Sequence, residues 1–323
     1  MNSAQILWIT AVIDDLKFLI NEIETKPHIS PWTIRMMLKV IFSKSEKILQ
    51  VETQKQMNIG YDEEWQFLSP NSVHLSSNSA QTAQPQTIFP GEVFANPADF
   101  DPGIRQLLPR YDEMLDTLTH CIPPHTQRIL ELGCGTGELS LKILHRYPEI
   151  QIVALDYSPR MLQLAQEKIE SAGYSGRWAG IEADFGNWAN HPDKLGIGIG
   201  FDACVSSLAI HHLTNEMKFK LYERIRTSLN SNGVFWNADP ILPEFPALAA
   251  VYQAVREEWA NEQGTTLAEI RTKIGKSLPY GYSYPDQLAT LDAYLQMLTE
   301  AGFETVAVPW KYYGLAVFGG VVG

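Results

Sequence analysis

The sequence predicts an α/β fold in which a parallel sheet carries helices on both faces. Short apolar runs rich in Ile, Val and Leu recur from residue 128 onward, and helical stretches separate them. These runs are Arg128–Leu132, Ile150–Leu155, Ala203–Ser206 and Gly233–Ala238. Strands that alternate with helices in this way form parallel sheets joined by helical crossovers, so the pattern indicates this fold class.

The composition supports a globular protein and disfavours several partners. Hydrophobic residues make up 45% of the 323 residues and charged residues 19%, as in ordinary folded domains. The formal net charge of -12 argues against nucleic acid as a partner, because binders of polyanions usually carry a basic face. The three cysteines lack metal-ligand spacing, so we expect reduced thiols, no metal and a cytoplasmic location.

The N-terminal region predicts two helices. Isoleucines and leucines recur at spacings of three and four between Ile6 and Ile23, and Ser30-Pro31 opens a second helix that reaches about Leu49. Asp14 and its charged neighbours interrupt the first apolar run, so we expect no membrane span. The helices either pack as a hairpin on their own domain or mediate homodimerisation or docking.

The composition divides the chain into three segments. We assign residues 1–68 to an N-terminal helical extension, 69–93 to a polar linker rich in Ser, Asn and Gln, and 94–323 to the main domain. In the main domain, one amphipathic helix is expected from about Gly103 to His120. Residues 240–284 match neither a strand nor a crossover pattern, and we expect them to form a helical insert over the ligand face.

The end of the chain completes the predicted sheet. Leu288–Ala301 predicts a late helix, and Glu304–Val308 and Leu315–Phe318 predict the final strands. A further short strand is expected at Ile181–Ala183.

A loop with glycine at every second position follows the first predicted strand: Gly133, Gly135 and Gly137. Such glycines let the backbone turn sharply and approach a ligand without a Cβ in the way. A dinucleotide-binding loop would space its glycines as G-x-G-x-x-G before a helix that faces pyrophosphate. Here the third glycine comes one residue early and Glu138 follows it. This arrangement disfavours NAD and suits the sulfonium cation and amino-acid tail of S-adenosylmethionine.

Acidic side chains follow the next two predicted strands. Asp156 stands twenty-three residues after Gly133, where a carboxylate can accept hydrogen bonds from both ribose hydroxyls of a nucleoside. Asp184 can receive the adenine amino group, and Phe185 beside it can stack on the base. Because ligands of open α/β sheets bind at the carboxyl ends of the strands, these positions converge on one crevice.

With these motifs, the chain from about Phe94 onward resembles the class I S-adenosylmethionine-dependent methyltransferases. The matching segments are E-L-G-C-G-T-G at Glu131–Gly137, A-L-D-Y-S at Ala154–Ser158, E-A-D at Glu182–Asp184 and F-D-A-C-V-S-S-L-A-I-H-H-L at Phe201–Leu213. The L-A-I-H-H-L stretch and the ending W-K-Y-Y-G-L-A-V-F-G-G are similar to small-molecule and natural-product members. The resemblance implies a Rossmann-like, seven-stranded sheet whose last strand is antiparallel, with S-adenosylmethionine as the cofactor.

The resemblance also implies the residues of the cofactor site. It implies backbone contacts along the glycine loop, ribose at Asp156, adenine near Asp184 and contact with the methionine end at Tyr111. The full set of expected cofactor-binding residues is Glu131, Gly133, Cys134, Gly135, Gly137, Asp156, Tyr157, Met161, Asp184, Phe185, Ser206 and Tyr111.

Three residues are candidates for catalysis. His211 and His212 follow the fourth strand, where an acceptor would approach, and a neutral imidazole can deprotonate a hydroxyl or an amine. The alternative is a structural pair, with one ring packed and the other hydrogen-bonded to the backbone. Asp239 ends the fifth strand, where it either binds a cationic acceptor or caps a turn.

Aromatic residues in the insert and between the last two strands suggest where the acceptor binds. Because the final strand is antiparallel in the implied fold, its connection emerges at the same edge as the cofactor. Aromatic surfaces there suit a flat, apolar or cationic acceptor, and the alternative is that they form the core of the insert. The expected substrate-binding residues are Tyr282, Tyr284, Lys311, Tyr312 and Tyr313.

The sequence therefore predicts an S-adenosylmethionine-dependent methyltransferase that acts on an oxygen or nitrogen of a small-molecule acceptor. Two alternatives stay open. One is a transfer-RNA-modifying enzyme that uses S-adenosylmethionine or a carboxylated form of it, although the acidic net charge counts against it. The other is a non-catalytic cofactor-binding protein whose N-terminal helices serve a partner.

Overall fold

A computed structural model of the chain describes residues 99–273 and 279–323, together with Lys17, Phe89, Pro90 and Glu92. All of them except Lys17 belong to the second of two compact units, residues 68–323. The expected N-terminal helices, the polar linker and the boundaries of these segments lie outside the described residues and stay predictions.

Seven strands form a single sheet in the order β3-β2-β1-β4-β5-β7-β6. The strands β1 to β5 are parallel to one another, whereas β7 is antiparallel to both β5 and β6. This topology confirms the predicted α/β class. The strands are β1 Arg128–Leu132, β2 Gln151–Asp156, β3 Trp178–Glu182, β4 Phe201–Ser207, β5 Leu229–Pro240, β6 Thr305–Tyr312 and β7 Leu315–Val321.

Helices connect and flank the strands. None of those described is long and apolar enough to span a bilayer. They are α1 Phe100–Leu107, α2 Tyr111–His120, α3 Glu138–Arg146, α4 Pro159–Ser171, α5 Phe185–Asn190, α6 Asn215–Ser228, α7 Ala247–Glu262, α8 Leu267–Lys273 and α9 Leu291–Glu300.

Alternate side chains of one strand show that helices cover both faces of the sheet. Val234 and Trp236 of β5 belong to the main core, which also contains the buried residues of α1 to α4. Phe235, which points to the opposite face, contacts Tyr222 of α6 with 5.5 Å between ring centroids. Phe318 of β7 packs on α9 in the same way.

The expected helix from Gly103 to His120 is wrong in one respect, because two helices occupy this segment. α1 ends at Leu107, and Leu108 is extended with φ -111° and ψ 112°. The cause is Pro109, since proline disfavours a helical conformation in the residue before it. Arg110 then adopts a left-handed conformation with φ 59° before α2 begins.

The remaining elements agree with the sequence apart from their ends. The β5 strand begins at Leu229, four residues before the expected start, because an irregularity in its register with β4 absorbs the extra residues. α7 and α8 form the helical insert that was expected between residues 240 and 284, of which 274–278 lie outside the described part. The insert therefore follows β5, the strand that ends at Pro240.

Candidate functional site

A cavity of about 670 Å³, including its mouth, opens at the carboxyl ends of β1, β2 and β4. Its wall is formed by the loops that follow these strands, by the first residue of α2, Tyr111, and by Pro90 and Glu92. Ligands of open α/β sheets bind at this edge. The structure thus forms one crevice from the elements that the sequence indicated.

The glycine loop is shaped for close approach of a ligand. Gly133 has φ +69°, and its N–H donates to Leu155 O at 2.8 Å. A Cβ at Gly133 would stand 2.3 Å from Ala209 Cβ, so this position excludes any side chain. Gly135 donates its N–H to Asp156 Oδ2 at 2.8 Å, which ties the loop to the end of β2.

Asp156 is fixed at the cavity wall. Besides the contact with Gly135, its Oδ1 accepts the N–H of Ser158 at 2.9 Å. Ser158 in turn caps α4, since its side chain accepts the N–H of Met161 at 3.3 Å. Burial raises the pKa of Asp156 to about 6. The carboxylate is therefore held in place with capacity to accept further hydrogen bonds from a ligand.

Glu131 gives the cavity a second buried carboxyl group. It is 1% exposed, lines the cavity and accepts a hydrogen bond from Ser140 Oγ. Burial, assisted by the charge of Asp156, raises the pKa of Glu131 to about 8. A ligand cation would favour the ionised form of this group.

The remaining charges at the cavity are also negative. Glu138 and Glu92 line it, and their countercharges, Arg105, Lys168 and Arg160, are not among the lining residues. The lining residues described by the structure include no Lys or Arg. The cavity is therefore suited to a cationic ligand.

The segment around Pro90 covers one side of the cavity. Tyr157 donates its hydroxyl to Pro90 O at 2.5 Å, and Glu92 bonds the side chains of Ser158 and Arg160. Phe89 packs on Tyr157 with 5.1 Å between ring centroids. The contacts attach this N-terminal segment to the residues that follow Asp156.

His211 belongs to an ion-pair network beneath the cavity. Its Nδ1 contacts Asp239 Oδ1 at 2.8 Å, and its Nε2 lies 3.4 Å from Asp286 Oδ1. Burial alone would lower the pKa of His211, but the two carboxylates raise it to about 9. Asp239 is also held by Asn237 Nδ2 at 2.9 Å. His211 is accordingly an imidazolium whose two ring nitrogens each face a carboxylate, and it does not line the cavity.

His212 has the opposite character. Its Nδ1 lies 3.0 Å from Tyr284 O, and since a carbonyl only accepts, this nitrogen carries the proton. Burial, together with the charge of His211, lowers the pKa of His212 to about 3. His212 is one of the residues that line the cavity, and none of the described residues hydrogen-bonds its Nε2. His212 is therefore a neutral imidazole with an unpaired Nε2 at the cavity.

The histidine cluster has the composition of a metal site but the contacts of an ion pair. His211, His212 and Asp286 each bring one ligand atom within 4.8 Å of the others. Both ring nitrogens of His211 face carboxylates, and Nδ1 of His212 donates to a carbonyl. In this arrangement His211 carries its protons toward the two carboxylates, and a metal bound by His211 would have to displace them.

Three of the expected cofactor residues do not line the cavity. Asp184 caps α5, and its oxygens accept the N–H groups of Gly186, Asn187 and Tyr282. Ser206 is fully buried and bonds a backbone carbonyl of β1. Gly137 begins α3 in a left-handed conformation. The other nine, from Tyr111 to Phe185 along the chain, line it: Tyr111, Glu131, Gly133, Cys134, Gly135, Asp156, Tyr157, Met161 and Phe185.

None of the expected substrate residues lines this cavity. Lys311 pairs with Glu244 and Tyr252 beside the insert, and Tyr312 and Tyr313 form the turn between β6 and β7. This turn lies at the carboxyl end of β5, as expected, because Pro240 pairs with Leu315. Tyr282 and Tyr284 precede Asp286, and their role in substrate binding stays a prediction.

Some lining residues carried no signal in the sequence. Pro90 and Glu92 lie about forty residues before β1 and reach the cavity only through tertiary packing. Leu208 has φ 53°, a left-handed conformation that leucine rarely adopts and no pattern indicates. Ser158, in contrast, was recognisable as a helix cap.

Comparisons with known proteins agree with this geometry. A family model described as a methyltransferase domain matches residues 129–233. The chain is 25% identical over 225 residues to a carboxy-S-adenosyl-L-methionine synthase of Campylobacter hominis, a match that covers 68% of this chain and 88% of that protein. It is 29% identical over 194 residues to an uncharacterized methyltransferase, YrrT, of Bacillus subtilis. That match covers 60% of this chain and 76% of YrrT.

A solved structure shows the same fold. It is the S-adenosylmethionine-dependent methyltransferase SibL in its apo form, with a TM-score of 0.50 and 17% identity. The match covers 74% of this chain and 63% of SibL, which is less than two thirds of the solved chain.

Proposed function

Because the chain is a class I S-adenosylmethionine-dependent methyltransferase, we propose that it transfers the methyl group to an oxygen or nitrogen of a small-molecule acceptor. One observation carries the proposal: an acidic cavity for the cofactor ends at a neutral histidine whose Nε2 has no partner among the described residues. The same cavity binds the electrophile and presents a proton acceptor beside it.

The residues of the cavity fit S-adenosylmethionine. The loop at Gly133 has no room for a Cβ, which lets a ligand contact the backbone. Asp156 and Glu131 both line the cavity, where Asp156 would accept the ribose hydroxyls and Glu131 would compensate the positive methionine end. Bound S-adenosylmethionine supplies a methyl group on a positively charged sulfur.

His212 is the group that would accept the proton of the acceptor. Its pKa of about 3 keeps it unprotonated at neutral pH. A hydroxyl or amine becomes strongly acidic as it gains a methyl group, so even a weak base can take its proton at that stage. His211 and Asp239 would act as positioning residues, since they hold the adjacent backbone and do not reach the cavity.

A carboxylated cofactor is the second candidate, favoured by the name of the Campylobacter relative. That cofactor carries one more negative charge than S-adenosylmethionine, and the described wall contains Glu92, Glu131, Glu138 and Asp156 without a Lys or Arg. Glu92 and Glu138 are paired with Arg160, Arg105 and Lys168, but these cations do not line the cavity, so the described wall offers an added carboxylate no cationic partner and favours methyl transfer.

A calorimetric titration of the full chain tests this choice. We expect S-adenosylmethionine to bind more tightly than carboxy-S-adenosyl-L-methionine, and NAD not to bind. Labelled methyl transfer is then measured to phenols and amines, with transfer RNA as a separate acceptor. Tighter binding of the carboxylated form, or label on RNA alone, would replace the proposal with the second candidate.

The affinity for S-adenosylmethionine is expected to depend on pH through Glu131. Above its pKa of about 8 this group is ionised before the cation binds, whereas below that pH binding must release its proton. The dissociation constant should therefore rise as the pH falls from 8 to 6, by up to about tenfold per unit. Glu131→Gln should bind more weakly and flatten this dependence.

Glu182→Gln is the matched control, because Glu182 is an exposed acid at the end of β3. It should keep both the affinity and the pH dependence of the wild type. A wild-type dissociation constant that is unchanged between pH 6 and 8 would contradict the role of Glu131.

A further inference from the structure

A chain of two hydrogen bonds reaches Glu131 from residues that do not line the cavity. Ser140, in the first turn of α3, donates its hydroxyl to Glu131 Oε2. Trp178, the first residue of β3, donates its Nε1–H to Ser140 Oγ at 2.8 Å. Glu131 lines the cavity, whereas Ser140 and Trp178 do not. The chain therefore connects the edge strand β3 to the carboxyl group that is proposed to face the positive end of the cofactor.

The chemistry of the three groups gives this chain one direction. An indole N–H only donates, so Ser140 Oγ accepts from Trp178 and has its own proton left for Glu131. Ser140 is fully buried, so water does not compete for that proton. A hydroxyl that accepts one hydrogen bond also becomes a stronger donor of the next. The chain therefore stabilises the ionised form of Glu131 relative to the neutral form.

Gly180 makes room for the indole of Trp178. A Cβ at Gly180 would stand 2.5 Å from Trp178 Cη2, so the ring lies over this glycine, two residues further along β3. The same Cβ would stand 3.2 Å from Leu162 Cδ2 of α4. The ring is therefore held over the strand beside α4, and from there its N–H reaches Ser140 on α3.

Ser140 opposes the effect of burial on Glu131. Burial, together with the charge of Asp156, raises the pKa of Glu131, whereas hydrogen bonds from the side chain and the backbone N–H of Ser140 lower it. No Lys or Arg is among the described residues that line the cavity. Apart from the neutral His212, the titratable groups that face Glu131 or line its cavity are acids: Asp156, Glu92, Glu138, Tyr111, Tyr157, Cys134 and Cys204.

We propose that Ser140 and Trp178 are positioning residues for the cofactor, which hold Glu131 as a fixed carboxylate for the cationic methionine end of S-adenosylmethionine. This inference rests on the role proposed above for Glu131. Trp178 orients the hydroxyl of Ser140, and this hydroxyl orients Glu131. Neither residue has to touch the cofactor.

Ser140→Ala should weaken cofactor binding only where Glu131 is protonated before the cofactor binds. The variant loses the hydroxyl donor, so the pKa of Glu131 rises above its wild-type value of about 8. Well below this pH, its dissociation constant for S-adenosylmethionine should be about tenfold larger than that of the wild type. Well above the raised pKa, Glu131 is ionised in both proteins and the two constants should converge. Calorimetry of the full chain between pH 6 and 10 gives their ratio, in which the ionisation of the ligand itself cancels.

Trp178→Phe should change the same ratio in the same pH range, by roughly two- to fivefold, because phenylalanine keeps a ring but does not donate to Ser140. Trp310→Phe is the matched control. Trp310 Nε1 also donates to a carboxylate, Glu113 Oε1 at 3.0 Å, and neither residue lines the cavity. Its ratio should stay near one at every pH. A ratio for Ser140→Ala that is the same at all pH values would overturn the positioning role.

The indole of Trp178 gives a second test that needs no cofactor. In protein labelled with ¹⁵N at the indole nitrogens, the Trp178 resonance is identified by its absence from Trp178→Phe. It should shift with pH with a midpoint of about 8, because the ionisation of Glu131 changes the hydrogen bonds of Ser140. The resonance of Trp310 should not share this midpoint, and Glu131→Gln should abolish the shift. A Trp178 resonance that does not respond between pH 6 and 10 would refute the chain.

The two proposals fail in different ways. If the wild type binds S-adenosylmethionine with an affinity that does not depend on pH, the proposed role of Glu131 fails. If the affinity does depend on pH and Ser140→Ala follows the wild type throughout, only the role of Ser140 and Trp178 fails. If the cofactor does not bind at all, the proposed methyl transfer fails, and the positioning role fails with it.

Discussion

Gly133→Ala is expected to destabilise the domain by about 2–5 kcal/mol and to weaken cofactor binding strongly. The left-handed conformation at φ +69° costs a residue with a Cβ about 1–2 kcal/mol. The new methyl group would also stand 2.3 Å from Ala209 Cβ, and overpacking of this kind costs about 1–3 kcal/mol. To relieve the contact, the loops after β1 and β4 must separate, and both form the cavity wall.

Gly135→Ala is the control that separates the effect of backbone strain from that of a steric clash. Gly135 has φ +52°, and nothing lies within 4 Å of the Cβ that alanine would add. The free energy of unfolding of this variant should fall only by the cost of the left-handed conformation, about 1–2 kcal/mol. Chemical denaturation measures both stabilities, and calorimetry measures both affinities. Equal losses in the two variants would contradict the contact between Gly133 and Ala209.

The site residues at the carboxyl ends of the strands could be predicted because their signals are local in the sequence. The glycine loop and Asp156 each follow a buried apolar run, and parallel topology brings the ends of such runs together. The position of the β6–β7 turn at this edge followed instead from the antiparallel last strand that the family resemblance implied. The local signals failed at the helix before β1, where Pro109 interrupts a continuous apolar periodicity.

The interpretation of Asp184 shows the limit of such reasoning. Position alone made it a candidate for adenine recognition, which stays a prediction, and in the structure its carboxylate oxygens accept three backbone N–H groups. A short polar residue before a helix is also a frequent cap, and the sequence does not distinguish the two uses. Tyr282, the most distant of these donors, lies almost a hundred residues away, and so no local pattern could reveal the contact.

The difference in protonation state between His211 and His212 also depends on residues that are distant in the sequence. His211 and His212 are adjacent and identical in the sequence, yet Asp239 and Asp286 surround the first while Tyr284 O binds the second. The resulting pKa values differ in direction: that of His211 is raised to about 9 and that of His212 is lowered to about 3. Both are candidate bases from their position in the sequence, but only His212 is among the residues that line the cavity.

His212→Asn should lower kcat by about 10²- to 10⁴-fold, the usual contribution of a positioned general base. The variant is chosen because the amide nitrogen of asparagine can replace Nδ1 as the donor to Tyr284 O. It removes Nε2, which has no hydrogen-bond partner among the described residues, from a residue that lines the cavity. The dissociation constant of S-adenosylmethionine and the midpoint of thermal unfolding should stay near wild type, since the replaced group contributes only the proton acceptor.

The pH dependence distinguishes a base from a structural residue. Wild-type kcat should be nearly constant between pH 5 and 8, because a base with a pKa of about 3 is unprotonated throughout. Without the base, only acceptor that has already ionised in solution can react. The rate of His212→Asn should then rise about tenfold per pH unit below the pKa of the acceptor. A variant that keeps the wild-type kcat, or loses activity equally at all pH values, would remove proton transfer from the role of His212.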